Sequence, residues 1–325
     1  MNRLRTSLPP CRISDPTAFG RVAVLLGGRS AEREVSLRTG QAVLDALCSR
    51  GVDARAVDPA DGALSALLEG KFDRVWLALH GRGGEDGSVQ GALEYMGLPF
   101  TGSGVLGSAI GMDKVRSKRL IEAAGLGTPA FAVVRRGDAL DVAVDVPLPA
   151  AVKPACEGSS LGMTRVTDPE QLPDAVAKAR EFDHTVLVEH WVDGVEYTAG
   201  IIGGVALPLI RIETARTFYD YTAKYHDTST QYHCPSGLDD AAEIALRAQA
   251  IAAFEAVGGH GWGRVDFMLD REGRALFLEV NTLPGMTATS LVPCAAAEAG
   301  CDFPELAWRI LETSLDAPVP RGSEN

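Results

Sequence analysis

Asp266, Glu279 and Asn281 are oxygen ligands carried on two segments that read as neighbouring strands of one hairpin. Period-two alternation puts Arg264, Asp266 and Met268 on one face of the first segment, with Val265, Phe267 and Leu269 on the other. The same rule groups Phe277, Glu279 and Asn281 on the return segment, with Leu276, Leu278 and Val280 opposed. Asp-Arg-Glu-Gly at 270–273 forms the turn. If Asp270 pairs with Gly273, Arg264 lies opposite Glu279 and Asp266 opposite Phe277. Arg264, Asp266, Glu279 and Asn281 then project to one side. Two carboxylates and a carboxamide suit magnesium carried on nucleotide phosphates, so the hairpin points to phosphate chemistry.

Other segments extend that reading. Ala-Val-Lys-Pro at 151–154 sets Lys153 at the end of a buried strand, and Glu-Gly-Ser-Ser-Leu-Gly at 157–162 can fold over phosphates with backbone N–H groups and hydroxyls. A surface lysine before an ordinary turn is the plainer alternative. Met112-Asp113-Lys114 offers a second phosphate lysine at a helix start. Residues 186–192 run as a strand into a linker whose backbone can pair with a base edge, although Trp191 taken alone reads as core. Four tyrosines crowd an irregular stretch, 217–232, which is either a lid or half-buried packing. Glu32 sits in the first turn of a helix, where it either offsets the dipole or grips a substrate ammonium. His80 ends a strand and borders the same cleft. Gly-Ser-Gly-Val-Leu-Gly at 102–107 fits a dinucleotide fingerprint only weakly, because no full strand precedes it and Glu122 lies within a helix. No Walker loop is present.

The elements that must position these residues alternate. Strand signals at 21–26, 52–58 and 74–80, with helices at 30–49 and 62–69, describe a parallel sheet covered by helices. The Gly-rich run 80–87 leaves a strand's carboxyl end, where such sheets place ligands. A helix at 114–124, strands at 131–134, 150–153, 185–190 and 195–203, and a helix at 169–182 describe a smaller α+β unit. Helices at 239–257 and 303–314 bracket the hairpin. A net charge of −12 over 325 residues argues against a nucleic-acid partner, and no apolar run is long enough for a membrane span. The six scattered cysteines, with no Cys-x-x-Cys pair, fit reduced cytosolic thiols.

Taken together, these motifs resemble the D-alanine–D-alanine ligase family of the ATP-grasp superfamily. The resemblance rests on 25–36 (Leu-Leu-Gly-Gly and Ser-Ala-Glu-Arg-Glu-Val-Ser), 78–87, Val152-Lys153-Pro154 with 157–160, Gly263-Arg264 with Asp266, and 279–291. It covers about 20–316. It implies an α/β and α+β three-domain ATP-grasp fold with an N-terminal parallel-sheet domain. The expected divisions are a flexible extension at 1–19, an α/β substrate domain at 20–102 and a central domain at 103–188. A C-terminal domain at 189–316, with a lid at 214–235, and a tail at 317–325 complete them. The implied activity joins two D-alanines through a D-alanyl phosphate, with ATP and two magnesium ions (manganese as a substitute), in a cytoplasmic homodimer supplying peptidoglycan precursors.

By the same resemblance, Lys114 and Lys153 would contact ATP phosphates, Ser160 and its loop amides would cover them, and Lys224 would reach in from the lid. Glu189, Trp191 and Val192 would border adenine, and Glu196 the ribose. Asp266, Glu279 and Asn281 would hold the magnesium ions. Glu32 would bind the first D-alanine's ammonium beside His80, with Ser159 and Tyr225 linked to Glu32 to close the site. Ser290 and Leu291 would take the second D-alanine's carboxylate, and Arg264 with the Gly285 amide would stabilise the tetrahedral centre. Cys156, Thr222, His190 and Leu283 depart from the family's usual residues beside these motifs. The neighbouring alternative is a ligase making D-alanyl-D-lactate or D-alanyl-D-serine, which Ala223-Lys224-Tyr225 disfavours. Another carboxylate–amine ligase is disfavoured by Glu32 and His80, and a non-catalytic nucleotide sensor by the intact set Lys153, Arg264, Asp266, Glu279 and Asn281.

Overall fold

The computed structural model describes residues 8–61, 65–138, 145–158, 160–214 and 230–316. β1 (Arg21–Leu25) is buried on both faces after its first residue, as a central parallel strand requires. α1 (Arg33–Ser49), β2 (Asp53–Val57), α2 (Ser65–Glu69), β3 (Arg74–Leu77) and α3 (Ser88–Tyr95) follow. The strands lie parallel in the order β2-β1-β3, with Leu25 level with Val57 on one side and Leu77 on the other. The loops after β1 and β3 therefore leave the same, carboxyl edge of the sheet. α1 starts later than the expected cap at Ser30: Glu32 is the cap residue. Ser30 instead ties the two loops together, its Oγ donating to the His80 carbonyl at 2.7 Å and accepting from Glu32 N at 3.2 Å. Asp58, just beyond β2, accepts from Gly28 N at 3.0 Å and Arg33 Nη2 at 2.6 Å. The Arg33 hydrogen bond holds its carboxyl down at about 2.

Residues 8–19, expected as a flexible extension, are docked on the C-terminal helix instead. Phe19 is fully buried and meets Trp308 edge-on at 4.8 Å. Ile13 N donates to Glu312 Oε1 at 2.9 Å, and Arg12 pairs with Asp316. These partners lie at the far end of the chain, so no local pattern announces them.

α4 (Val105–Met112) and α5 (Lys114–Ala123) lead to β4 (Phe131–Val134), β5 (Ala150–Pro154), β6 (Thr164–Val166), α6 (Leu172–Arg180) and β7 (Val186–His190). The second sheet is antiparallel in the order β4-β7-β5-β6, with Leu172, Ala175, Val176 and Ala179 of α6 buried beside it. The glycine run that opens α4 serves packing rather than a dinucleotide: a Cβ on Gly107 would meet the Gly258 carbonyl at 2.2 Å.

β8 (Gly194–Ile202), β9 (Val205–Ala206), β10 (Ile210–Glu213), β11 (Gln231–His233), α7 (Asp240–Ala256), β12 (Trp262–Asp270) and β13 (Ala275–Asn281) build the third sheet, followed by α8 (Leu291–Glu298) and α9 (Phe303–Thr313). Its order is β11-β10-β8-β12-β13, with β9 on β8. Of the lid expected at 214–235, residues 231–233 form β11 against β10, and 215–229 lie outside the described residues. No helix among the described residues is long and apolar enough to cross a membrane.

The β12–β13 hairpin corrects the expected register. Asp270 N bonds to the Arg274 carbonyl at 3.1 Å, so the loop has three residues rather than two, with Gly273 at φ +77°. A bulge between Asp266 and Phe267 shifts the pairing once more. Arg264 therefore lies opposite Asn281, and Asp266 opposite Glu279. Phe277, expected on the ligand face, turns into the core against Phe267 at 5.4 Å between rings. Leu278 takes its place toward the cavity, because a bulge sets two consecutive residues against one partner and resets the alternation.

Candidate functional site

Two adjoining cavities hold the chemistry-bearing residues. The larger, about 620 Å³, lies between the second and third sheets. Lys153 of β5, Glu189 of β7, the 190–196 linker and Asp266, Met268, Leu278 and Glu279 of the hairpin line it. The smaller, about 360 Å³, opens at the carboxyl edge of the first sheet. Glu32, His80, Arg264, Asn281, Gly285, Ser290 and Leu291 line it. Lys114, Glu157 and Glu279 line both, so the two spaces meet at an ammonium and two glutamates.

Helix spacing explains the cationic side. Lys114 and Lys118 stand one turn apart on α5, on the same face. Lys114 Nζ is 3.1 Å from Glu279 Oε2 and donates to the Glu157 carbonyl at 2.7 Å. Burial would strip its proton, but Glu279 outweighs that and holds the ammonium above its ordinary range. Lys118 is fully buried and pairs with Glu189, whose other oxygen accepts from Lys153 Nζ at 2.9 Å. Burial favours the neutral acid at Glu189, yet the two lysines prevail and keep its carboxyl below the usual range. That carboxylate is committed to the two lysines.

On the hairpin, Arg264 grips Asp266 in a fork, Nε–Oδ1 at 2.8 Å and Nη2–Oδ2 at 2.7 Å, and Thr198 Oγ1 donates to Oδ1 at 2.6 Å. Asp266, Glu279 and Asn281 fit a hard divalent cation by donor type and by register, since the carboxylates are direct cross-strand partners and Asn281 follows on the same strand. Among the described residues no third carboxylate, histidine or cysteine joins them, so any remaining ligands come from phosphate oxygens and water.

In the smaller cavity, Glu32 approaches two loops. A Cβ on Gly81, at φ +69°, would lie 2.8 Å from Glu32 Oε2, and one on Gly158 would lie 3.5 Å away. His80 is buried between Glu85 Oε1 and Thr39 Oγ1, both at 3.2 Å. Ser290 caps α8 without a side-chain bond to the helix, and its Oγ meets Thr287 Oγ1 at 2.9 Å. The free N–H groups at that helix start are a ready carboxylate site.

Of the residues expected from sequence, Lys114, Lys153, Ser160, Glu189, Trp191, Val192, Glu196, Asp266 and Glu279 line the larger cavity. Glu32, His80, Arg264, Asn281, Gly285, Ser290 and Leu291 line the smaller. Ser159, Lys224, Tyr225 and Thr222 lie outside the described residues. Sequence reasoning missed Lys118, Glu85, Arg211 and Thr287. Lys118 carried a signal, its spacing of four from Lys114. His190 Nδ1 donates to the Pro147 carbonyl at 3.0 Å, and Leu283 is buried against Gly102. Burial pushes the Cys156 thiol up to about 12, and the six cysteines are free.

Two family models match the chain: the D-ala D-ala ligase C-terminus over 120–312 and the D-ala D-ala ligase N-terminus over 54–103. A D-alanine–D-alanine ligase of Alkalilimnicola ehrlichii is 57% identical over 295 residues, covering 90% of this chain and 94% of the relative. The crystal structure of a D-alanine–D-alanine ligase from Bacillus anthracis complexed with ATP aligns with TM-score 0.80 at 33% identity, over 91% of this chain and 97% of that one. The VanG D-Ala:D-Ser ligase of Enterococcus faecalis aligns with TM-score 0.79 at 28% identity, over 91% and 98%.

Proposed function

The chain belongs to the D-alanine–D-alanine ligase family, and from that membership we propose how its two cavities share the work. The enzyme performs the ATP-dependent ligation of two D-alanines, releasing ADP and phosphate. The observation that carries the assignment of roles is the junction of the cavities at Lys114 and Glu279, where a phosphoryl group would pass from nucleotide to amino acid.

ATP occupies the larger cavity, its base along Trp191 and Val192 against Met268 and Leu278, its ribose at Glu196, its phosphates at Lys114, Lys153 and Ser160. The first D-alanine lies in the smaller cavity with its ammonium at Glu32, beside His80. Its carboxylate is a poor electrophile until phosphorylated, and the D-alanyl phosphate supplies the leaving group. Magnesium held by Asp266, Glu279 and Asn281 would neutralise charge on the transferring phosphoryl. Ser290 and Leu291, at the start of α8, hold the second D-alanine's carboxylate so that its amine faces the acyl carbon. Attack forms a tetrahedral centre whose oxyanion meets Arg264 and the Gly285 amide, and collapse expels phosphate. Ser159, Lys224 and Tyr225 complete the enclosure by family resemblance. We assign domains at 20–102, 103–188 and 189–316, and a cytoplasmic homodimer supplying peptidoglycan precursors, also on that resemblance.

An ADP-release assay near neutral pH, with product identification, tests the reading. D-Alanine supports turnover with one dipeptide per ADP, whereas L-alanine does not. A preference for D-lactate or D-serine as the second substrate would overturn the dipeptide assignment.

A further inference from the structure

We infer that Lys118 is a positioning residue for ATP: by occupying one oxygen of Glu189, it leaves the charge of Lys153 free for the nucleotide's phosphates. The inference rests on the reading that Lys153 meets those phosphates. Three charges are packed together at the wall of the larger cavity, two ammoniums and one carboxylate. Glu189 Oε1 accepts from Lys153 Nζ at 2.9 Å, and Oε2 faces Lys118 Nζ. Lys153 and Glu189 line the cavity; Lys118 is fully buried behind them and lines neither cavity. It therefore acts through Glu189.

The surroundings hold Lys118 in that role. Its ammonium donates to Thr128 Oγ1 at 2.6 Å and to the Phe277 carbonyl at 3.3 Å, and sits 5.8 Å from the Phe131 ring centroid. Thr128 Oγ1 also donates to the Phe277 carbonyl, at 2.8 Å. Lys118 thus binds β7 of the second sheet to β13 of the third, the two walls that enclose the nucleotide. With Lys118 charged, the cluster carries a net positive charge toward the cavity. Without it, Glu189 and Lys153 cancel, and Lys153 is drawn onto the carboxylate. Burial lowers the Lys118 ammonium to about 8, opposed by Glu189 and by Glu122 on its own helix, and reinforced by Lys153. The cluster then loses its excess charge as pH rises through that value.

Binding of MgATP, measured by calorimetry without D-alanine, tests the inference. Lys118→Met is expected to weaken affinity about tenfold or more, with the KM for D-alanine little changed. Adding Glu189→Gln to it should restore most of the loss, because Lys153 is released again. Lys118→Arg should retain affinity and abolish the weakening expected of the wild-type protein between about pH 7 and pH 9. Affinity within twofold of wild type in a folded Lys118→Met protein, or a double variant no better than the single, would overturn the inference. If Lys118→Met does not fold, the wild-type titration decides: affinity independent of pH over that range overturns it. Lys153→Met separates the two readings, since full affinity there refutes the phosphate role of Lys153 itself.

Discussion

Replacing Glu279 by glutamine is expected to cut D-alanine-dependent phosphate release from MgATP by about 10³-fold or more, the largest loss of any single change in the hairpin. Glu279 lines both cavities, faces Asp266 across the strands and receives Lys114 at 3.1 Å. Glutamine keeps its size but removes the charge that a divalent cation needs. Metal-held charge is worth several kcal/mol in phosphoryl transfer, and about 1.4 kcal/mol is a factor of ten. Lys114 keeps its bond to the Glu157 carbonyl at 2.7 Å, so the melting temperature should change far less than the rate. A Glu279→Gln protein retaining a tenth or more of wild-type turnover would show the metal assignment to be wrong.

Arg264→Met is expected to lower kcat by roughly 10²–10³-fold, the range for losing one oxyanion donor. The guanidinium lines the smaller cavity while its fork holds Asp266, which lines the larger. Its loss therefore touches both half-reactions. Lysine should not rescue it, because a point charge cannot hold Asp266 through two parallel bonds and still face an oxyanion. Asp266 is 6% exposed, so stranding it without a cation also destabilises the fold by a few kcal/mol. Rates measured well below the unfolding transition separate the effects. A kcat within fivefold of wild type at such a temperature contradicts the role given to Arg264.

How far the molecule was legible differs element by element. Alternation alone put Arg264, Asp266, Glu279 and Asn281 on one side, because a half-buried strand must sort its residues by face. Their pairing was not legible: the three-residue loop at Gly273 and the bulge beside Leu278 are backbone choices that leave the hydrophobic pattern almost unchanged. The parallel sheet could be read from β1 to β3, since short apolar strands there alternate with helical segments, the 17-residue α1 foremost. α3, α4 and α8 were missed because eight-residue helices give barely two turns of periodicity. Lys118 was missed for a different reason. Its spacing of four from Lys114 put it on the same helix face, but lysines on a short helix are usually solvated, whereas this one is fully buried. Residues 8–19 were misjudged because their partners, Trp308, Glu312 and Asp316, lie at the far end of the sequence.

The central claim is that the two cavities meet so that ATP phosphorylates the first D-alanine's carboxylate. Turnover of MgATP with D-alanine labelled with ¹⁸O in its carboxylate tests it most directly, by mass spectrometry of the released phosphate. One labelled oxygen should pass into phosphate for each dipeptide formed, because the carboxylate oxygen that attacks ATP leaves with the phosphoryl group. Phosphate carrying no label while dipeptide accumulates would mean that no acyl phosphate forms, and would contradict the account.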